Sequence, residues 1–326
     1  MFKKLTIIQR YLLKYRDKAA YQQYKWAAAN DAKIKFADKV INHPYLTNEK
    51  LIIQTGQDEG HLNISHSGNA GDVIYALATI KKIQELAGIP VNLYLTAGQP
   101  LKYTGETQHP LGKVMLDQRM VSMLVPLIQS QPFINQCAIY HEQKIHLDMD
   151  HFRNGLIPQD KGNIARWYGY ICGVNAELWK PWMDVGPNNE YKDAIVIARS
   201  ERYRSRKTDY SFLKNYKNLH FIGVESEYLD IKKILPDINW IILNDFMEMA
   251  AILKACRFFI GNQSFPFSVA EALKIPRILE ASYEVINVVP EGEDAYDFLF
   301  QEHFESLVKR LDKKTKSPDY YFTKEL

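Results

Sequence analysis

Apolar positions recur along this chain with two different periods, and the alternation between them predicts its elements. Residues 2–41 contain neither glycine nor proline and carry Leu5, Ile8, Leu12 and Tyr15 at helical spacing, which predicts one or two amphipathic helices. Asn42-His43-Pro44 ends them. Leu62, Ile64 and His66 then alternate as a short strand, glycines at 68 and 71 turn the chain, and Val73, Leu77 and Ile80 share one helical face. Asp72 falls where that helix begins, and a carboxylate there can cap free amides. Ala87-Gly88-Ile89-Pro90 stops the helix and residues 91–96 read as a second strand, a βαβ unit that implies a parallel sheet. Residues 98–119 are polar, hold Gly98, Pro100, Gly105, Pro110 and Gly112, and have no sustained period, so they predict a long surface loop of the kind that carries function. A helix over 119–131, strands over 136–140 and 144–148, and a helix over 163–172 complete the first half.

Residues 175–189, with Pro181, Pro187 and two tryptophans, read as a linker. The second half repeats the alternation. Strands are predicted at 194–198, 219–224, 240–243, 258–260 and 277–279, and helices at 227–235, 246–255 and from the turn Gly261-Asn262-Gln263-Ser264 to Leu273. A last helix over 298–311 is charged enough to lie on the surface. The resulting division is a helical extension over 1–50, an α/β domain over 51–180, a second over 181–298, and a helix with a tail over 299–326. Two α/β domains joined by a linker make a cleft.

Composition changes this picture little. The chain has 326 residues, 46% hydrophobic and 24% charged, with a net charge of +3, which is that of an ordinary globular protein and too little to argue for a nucleic-acid partner. The charge is uneven, however: residues 1–40 hold ten lysines and arginines against three aspartates, a net +7. A basic amphipathic segment of that kind can lie on an anionic membrane surface, although packing against the rest of the protein is the commoner fate. Cys137, Cys172 and Cys256 have neither metal-site spacing nor a disulfide pattern, and fit a reducing compartment. The start lacks a cleavage site, and no stretch approaches the roughly 20 apolar residues of a membrane span. A cytoplasmic location follows, at the inner face of the membrane if the basic segment docks there.

Gly261-Asn262-Gln263-Ser264 repeats the logic of the first glycine turn: an apolar strand ends, small polar residues turn, and a helix starts. Unpaired amides and the positive end of the helix suit a diphosphate, while a plain Ser264 cap is the structural alternative. The basic run Arg199, Arg202, Arg204, Arg206 and Lys207 could add charge, or be a solvated loop. Asp148, Asp150, His151 and Arg153, and the loop at Lys102 and Tyr103, are weaker candidates for touching a second substrate. The aspartates and histidine have no matching metal ligands elsewhere.

The pairing of Gly-Asn-Ala-Gly-Asp-Val-Ile at 68–74 with Phe-Ile-Gly-Asn-Gln-Ser-Phe-Pro-Phe-Ser-Val-Ala-Glu-Ala-Leu-Lys-Ile-Pro at 259–276 resembles the ADP-heptose:lipopolysaccharide heptosyltransferases and their relatives. The resemblance covers roughly residues 60–290 and leaves out the N-terminal extension. It implies an α/β chain of GT-B fold, two Rossmann-like domains with parallel sheets facing the cleft, the first for the acceptor and the second for the nucleotide-sugar. It implies a metal-independent inverting glycosyltransferase with a glycan or glycolipid acceptor and no cofactor beyond the nucleotide-sugar substrate. Asp72 matches the family's base, with Ser67, Gly68, Asn69 and Gly71 giving backbone approach beside it. In the family an acidic residue, a serine or threonine, a glycine and a histidine line the donor phosphates. Here Ser264 matches, while Gln263, Phe265 and Phe267-Ser268 stand at or near the others. Gly261, Asn262, Gln263 and Ser264, with Arg199 and Lys207, would then face the diphosphate, and Glu271 a ribose hydroxyl unless it is a surface residue. A nucleotide-sugar epimerase or hydrolase, and a non-catalytic scaffold of the same fold, are the competing readings.

Overall fold

The computed structural model describes residues 2–101 and 114–315. The chain divides into two compact units, Met1–Thr47 and Asn48–Leu326.

The first unit is a pair of helices, α1 (Ile7–Arg16) and α2 (Lys18–Ile41). Thr6 and Gln9 form a reciprocal capping box at the start of α1, and Asp17 ends α1 while its side chain caps α2 at the amide of Ala20, 2.9 Å away. No residue of either helix is buried, and Ile8, Tyr11, Tyr15, Trp26 and Phe36 stand exposed. No described helix is long and apolar enough to cross a membrane.

The second unit opens on α3 (Glu49–Glu59), a helix that hydrophobic spacing did not predict because only Ile52 and Gly56 on it are buried. A side chain at Gly56 would collide with Ile89, so the glycine that weakens the helix also seats it. Then follow β1 (Leu62–His66), α4 (Ala70–Ala87), β2 (Val91–Leu95), α5 (Gln118–Gln129), β3 (Gln136–Ile139), β4 (Leu147–Asp148) and α6 (Ile164–Cys172). Their strands form an all-parallel sheet in the order β3-β2-β1-β4, with Leu62 opposite Val91 and Ile64 opposite Leu147. All five residues of β2 are buried, as expected of a strand covered on both faces. Of the predicted 98–119 loop, Pro100 and Val114 bridge antiparallel, and Lys102 and Tyr103 lie outside the described residues.

The later part contains β5 (Ile195–Ala198), β6 (Leu219–Ile222), α7 (Glu225–Ile234), β7 (Asn239–Ile241), α8 (Phe246–Ala255), β8 (Phe258–Asn262), α9 (Phe265–Leu273), β9 (Arg277–Glu280), β10 (Ala295–Phe298) and α10 (Gln301–Thr315). The strands make a second parallel sheet, ordered β10-β9-β8-β5-β6-β7. Here one expectation fails. The last helix is not a surface helix: Phe304, Leu307, Val308 and Leu311 are buried, and Phe304 stacks on Phe298 of β10 with ring centroids 4.1 Å apart. Its charge count hid an apolar stripe at the spacing of one helical face.

Where the two sheets meet, α4 packs on α9. The predicted linker runs across both. Trp182, almost fully buried, donates its indole N–H to the carbonyl of Ile74 in α4 at 3.0 Å, and its amide to the carbonyl of Ala272 in α9 at 3.1 Å. A side chain at Gly71 would stand 3.8 Å from the Cα of Phe265, so the first turns of the two motif helices face one another.

Candidate active site

The site begins at the end of β1. Asn69 has extended backbone and α4 starts after it, so Asn69 holds the N-cap position and Asp72 lies within the first turn. The expectation that Asp72 caps the helix is corrected here, because its carboxylate is turned away to the guanidinium of Arg153, with which it forms an ion pair. Asn69 adds an amide contact to the same carboxylate at 3.4 Å. The segment Asp148 to Arg153, weak as a sequence candidate, is thus folded directly against the motif. Asp150 accepts the Ser67 amide at 2.8 Å and Asp148 the Ser65 hydroxyl at 3.2 Å. Gly68 has a definite reason: any β-carbon there would strike the Arg153 guanidinium and the His66 ring. The glycine therefore admits a side chain of the same protein to the backbone.

His66, the last residue of β1, is fully buried. The Gly68 amide donates to its Nδ1 at 2.9 Å, which leaves the proton on Nε2 to be donated to the Tyr168 hydroxyl at 2.8 Å. Burial pushes its pKa down to about 3, with the Arg153 charge acting the same way, so the ring is neutral. Spacing marked His66 only as a strand residue and gave no sign of its pairing with Tyr168. The only available signal was position, since residues at the carboxyl ends of parallel strands are where ligands bind in such sheets.

At the second motif, Gly261 and Asn262 end β8 and Ser264 is the N-cap of α9. Gly261 leaves no room for a β-carbon beside the Phe259 ring. Asn262 exchanges hydrogen bonds with the Ser200 backbone at 2.6 and 3.0 Å, and Gln263 donates to Val285 and Asn287, both at 2.7 Å, so these two side chains hold loops in place. Thr6, Asp17, Asn48, Asp117, Asn163 and Asp245 each cap their helix with a side-chain hydrogen bond. Asn69 and Ser264 are equally able to, and neither does. The amide ends of α4 and α9 therefore meet without side-chain caps, and their helix dipoles add.

The remaining candidates lie differently. Arg199 does not face an opening: it is buried, forks onto Glu280 with contacts of 2.7 and 2.8 Å, donates to the Ser205 carbonyl at 2.7 Å, and lies over the Tyr210 ring. Lys207 is exposed. Glu271 is not on the surface either; it is buried in ion pairs with Lys274 and Arg277, and burial lowers the Lys274 pKa to about 8 against the pull of Glu271. Burial holds the Arg153 pKa below its ordinary value, and the Arg202 charge acts the same way.

A cavity of about 820 Å³ lined by Asp193, Phe212, Tyr216, Lys217, Arg257 and Asp312 opens elsewhere, beside the residues that lead into β5, β6 and β8. That is the amino end of the sheet, where α/β folds do not place their ligands, and the motif residues are the better candidate. Among the described residues no group of three or more histidines, cysteines, aspartates or glutamates could hold a metal ion.

No protein-family model matches the chain, and no curated protein matches its sequence. Solved structures do. The Escherichia coli ADP-heptose lipopolysaccharide heptosyltransferase II superposes with a TM-score of 0.52 at 10% identity, over 79% of this chain and 100% of that one. The fold is GT-B. A glycosyl transferase family 9 protein of Veillonella parvula matches with a TM-score of 0.47 at 10% identity, over 80% of this chain and 91% of its own. The dodecameric iron-containing heptosyltransferase TibC, solved with ADP-D-beta-D-heptose, gives 0.49 at 12% identity, over 79% and 77%. Asp72 thus stands beside the first sheet and the α9 turn beside the second, with Gly71 close to Phe265.

Proposed function

We propose that this chain is a glycosyltransferase that moves a sugar from a nucleoside diphosphate donor to a hydroxyl of a glycan or lipid-linked acceptor, with inversion and without a metal ion. The observation that carries the reading is the meeting of two uncapped helix starts, α4 and α9, around the buried carboxylate of Asp72. In the proposed reaction Asp72 takes the acceptor hydroxyl's proton as the new C–O bond forms at the anomeric carbon. The bond to the diphosphate breaks with its electrons leaving on the nucleoside diphosphate, whose growing charge the α9 amides and nearby cations stabilise. The heptosyltransferase II of the same fold is by its name an ADP-heptose enzyme, which supports a nucleotide-sugar donor.

Asp72→Asn keeps the side chain's shape and removes its basicity. The expected result is loss of transfer by at least about a hundredfold, the usual contribution of a positioned base, with nucleoside diphosphate binding retained. Retained turnover would remove Asp72 from the mechanism. The scaffold reading draws on the internal ion pairs that occupy Arg199 and Glu271, and titration with ADP, UDP and GDP decides it: no binding of any of them would favour the scaffold.

A further inference from the structure

Buried arginines in this protein are of two kinds. Arg277, wholly buried, spends its donors on Glu271 and on the carbonyls of Ile275 and Glu291 at 2.8 and 2.6 Å, and Arg199 is equally occupied. Arg153 is not. Its side chain is 8% exposed, yet it reaches Asp72 through a single oxygen, directs Nη1 to the thioether of Met115 at 2.9 Å, and leaves Nε buried with no partner. A thioether is a poor acceptor, and a buried N–H without a partner is destabilising. The surroundings compound this. Arg202 adds a second positive charge close by, and the amide ends of α4 and α9 add their partial charges. Asp72 is the carboxylate paired with Arg153, while Asp150 is held on the Ser67 amide.

We propose that Arg153 is the receptor for a phosphate oxygen of the donor, and that its move from Asp72 to that phosphate frees the carboxylate to act as base. A phosphate presents the fork-matched oxygens that Arg153 lacks at present. While the ion pair stands, Asp72 is held as an occupied and weak base. Once the guanidinium turns to the diphosphate, the carboxylate is left beside the acceptor with no cation on it, and the order of events follows: donor first, base second. The absent family histidine is then replaced by a cation from the opposite domain. The inference rests on the transferase reading only for the identity of the donor, because anion binding at Arg153 is measurable without turnover.

The test is calorimetric titration of the full chain with inorganic pyrophosphate and with ADP, UDP and GDP. Arg153→Gln is expected to weaken pyrophosphate by at least about tenfold, the equivalent of one lost charge-assisted hydrogen bond. Asp72→Asn is expected to tighten it by roughly the same factor, because the competing carboxylate is gone; a gain of affinity cannot arise from misfolding. Arg153→Lys should recover part of the loss. Pyrophosphate affinity unchanged in Arg153→Gln, or lowered in Asp72→Asn, would overturn the proposal even if transfer is observed. The expected binding shifts without transfer to any acceptor would leave the anion site standing and sink the transferase reading instead.

Discussion

Two places where a parallel sheet ends show how differently one protein can treat a buried arginine. After β5, Arg199 sits in a closed arrangement: two bonds to Glu280, a carbonyl, an aromatic face, and Tyr210 donating to the same glutamate at 2.9 Å. Beside β1, Arg153 has one carboxylate oxygen, a sulfur and an orphaned Nε. The first arrangement is complete, and nothing could be added without removing something. The second is incomplete in a defined way, and a polar cluster left incomplete is a place where a ligand gains more than it displaces.

Mutation separates the two most sharply. Removing one partner of a saturated buried pair strands the other, so Glu280→Gln or Arg199→Met is expected to cost about 3–5 kcal/mol in urea unfolding at pH 7. Arg153→Gln should cost about 1 kcal/mol or less, because Asp72 keeps the favourable field of the α4 amino end. Comparable losses at both positions would erase the distinction.

Acid sharpens it next. His66 is neutral in the fold, with a pKa near 3 against 6.5 in the unfolded chain. Between those values the unfolded chain binds more protons, so stability falls as pH drops below about 6.5, by up to about 1.4 kcal/mol per pH unit for this one group. His66→Gln should flatten that part of the profile by urea unfolding at pH 7, 6 and 5. An unchanged slope would mean that the ring does not stay neutral.

The smallest effect concerns the helix starts. Asn48→Ala removes a working cap and should cost about 1 kcal/mol of stability, while Ser264→Ala should cost less than about 0.5 kcal/mol because no cap bond exists to lose. The comparison by thermal melting fails if Ser264 proves the costlier.

Much of the fold was legible in the sequence. The β1 boundaries and α8 were read correctly because their apolar periods are unbroken and their ends are marked by glycine or aspartate. α3 and β10 were missed: the first buries too few residues to make a pattern, and the second is four residues long with three of them partly exposed or exposed. At the site, both motifs could be read, since glycine and small polar residues between strand and helix have few other uses. What could not be read was pairing across distance. That Asp72 meets Arg153, 81 positions later, or that Arg199 is claimed by Glu280, also 81 positions away, follows from sheet order and has no local trace. The same holds for His66 and Tyr168.

The Trp182 crossing binds the chain between the two sheets to a helix of each. Its two hydrogen bonds pin the linker to α4 and α9 at their contact, with the Lys274 ammonium 4.6 Å from the centre of the indole ring. A residue fastened at both points couples the two helices. Ile74 lies in the second turn of α4 whereas Ala272 lies at the far end of α9, so the tryptophan ties the beginning of one helix to the end of the other.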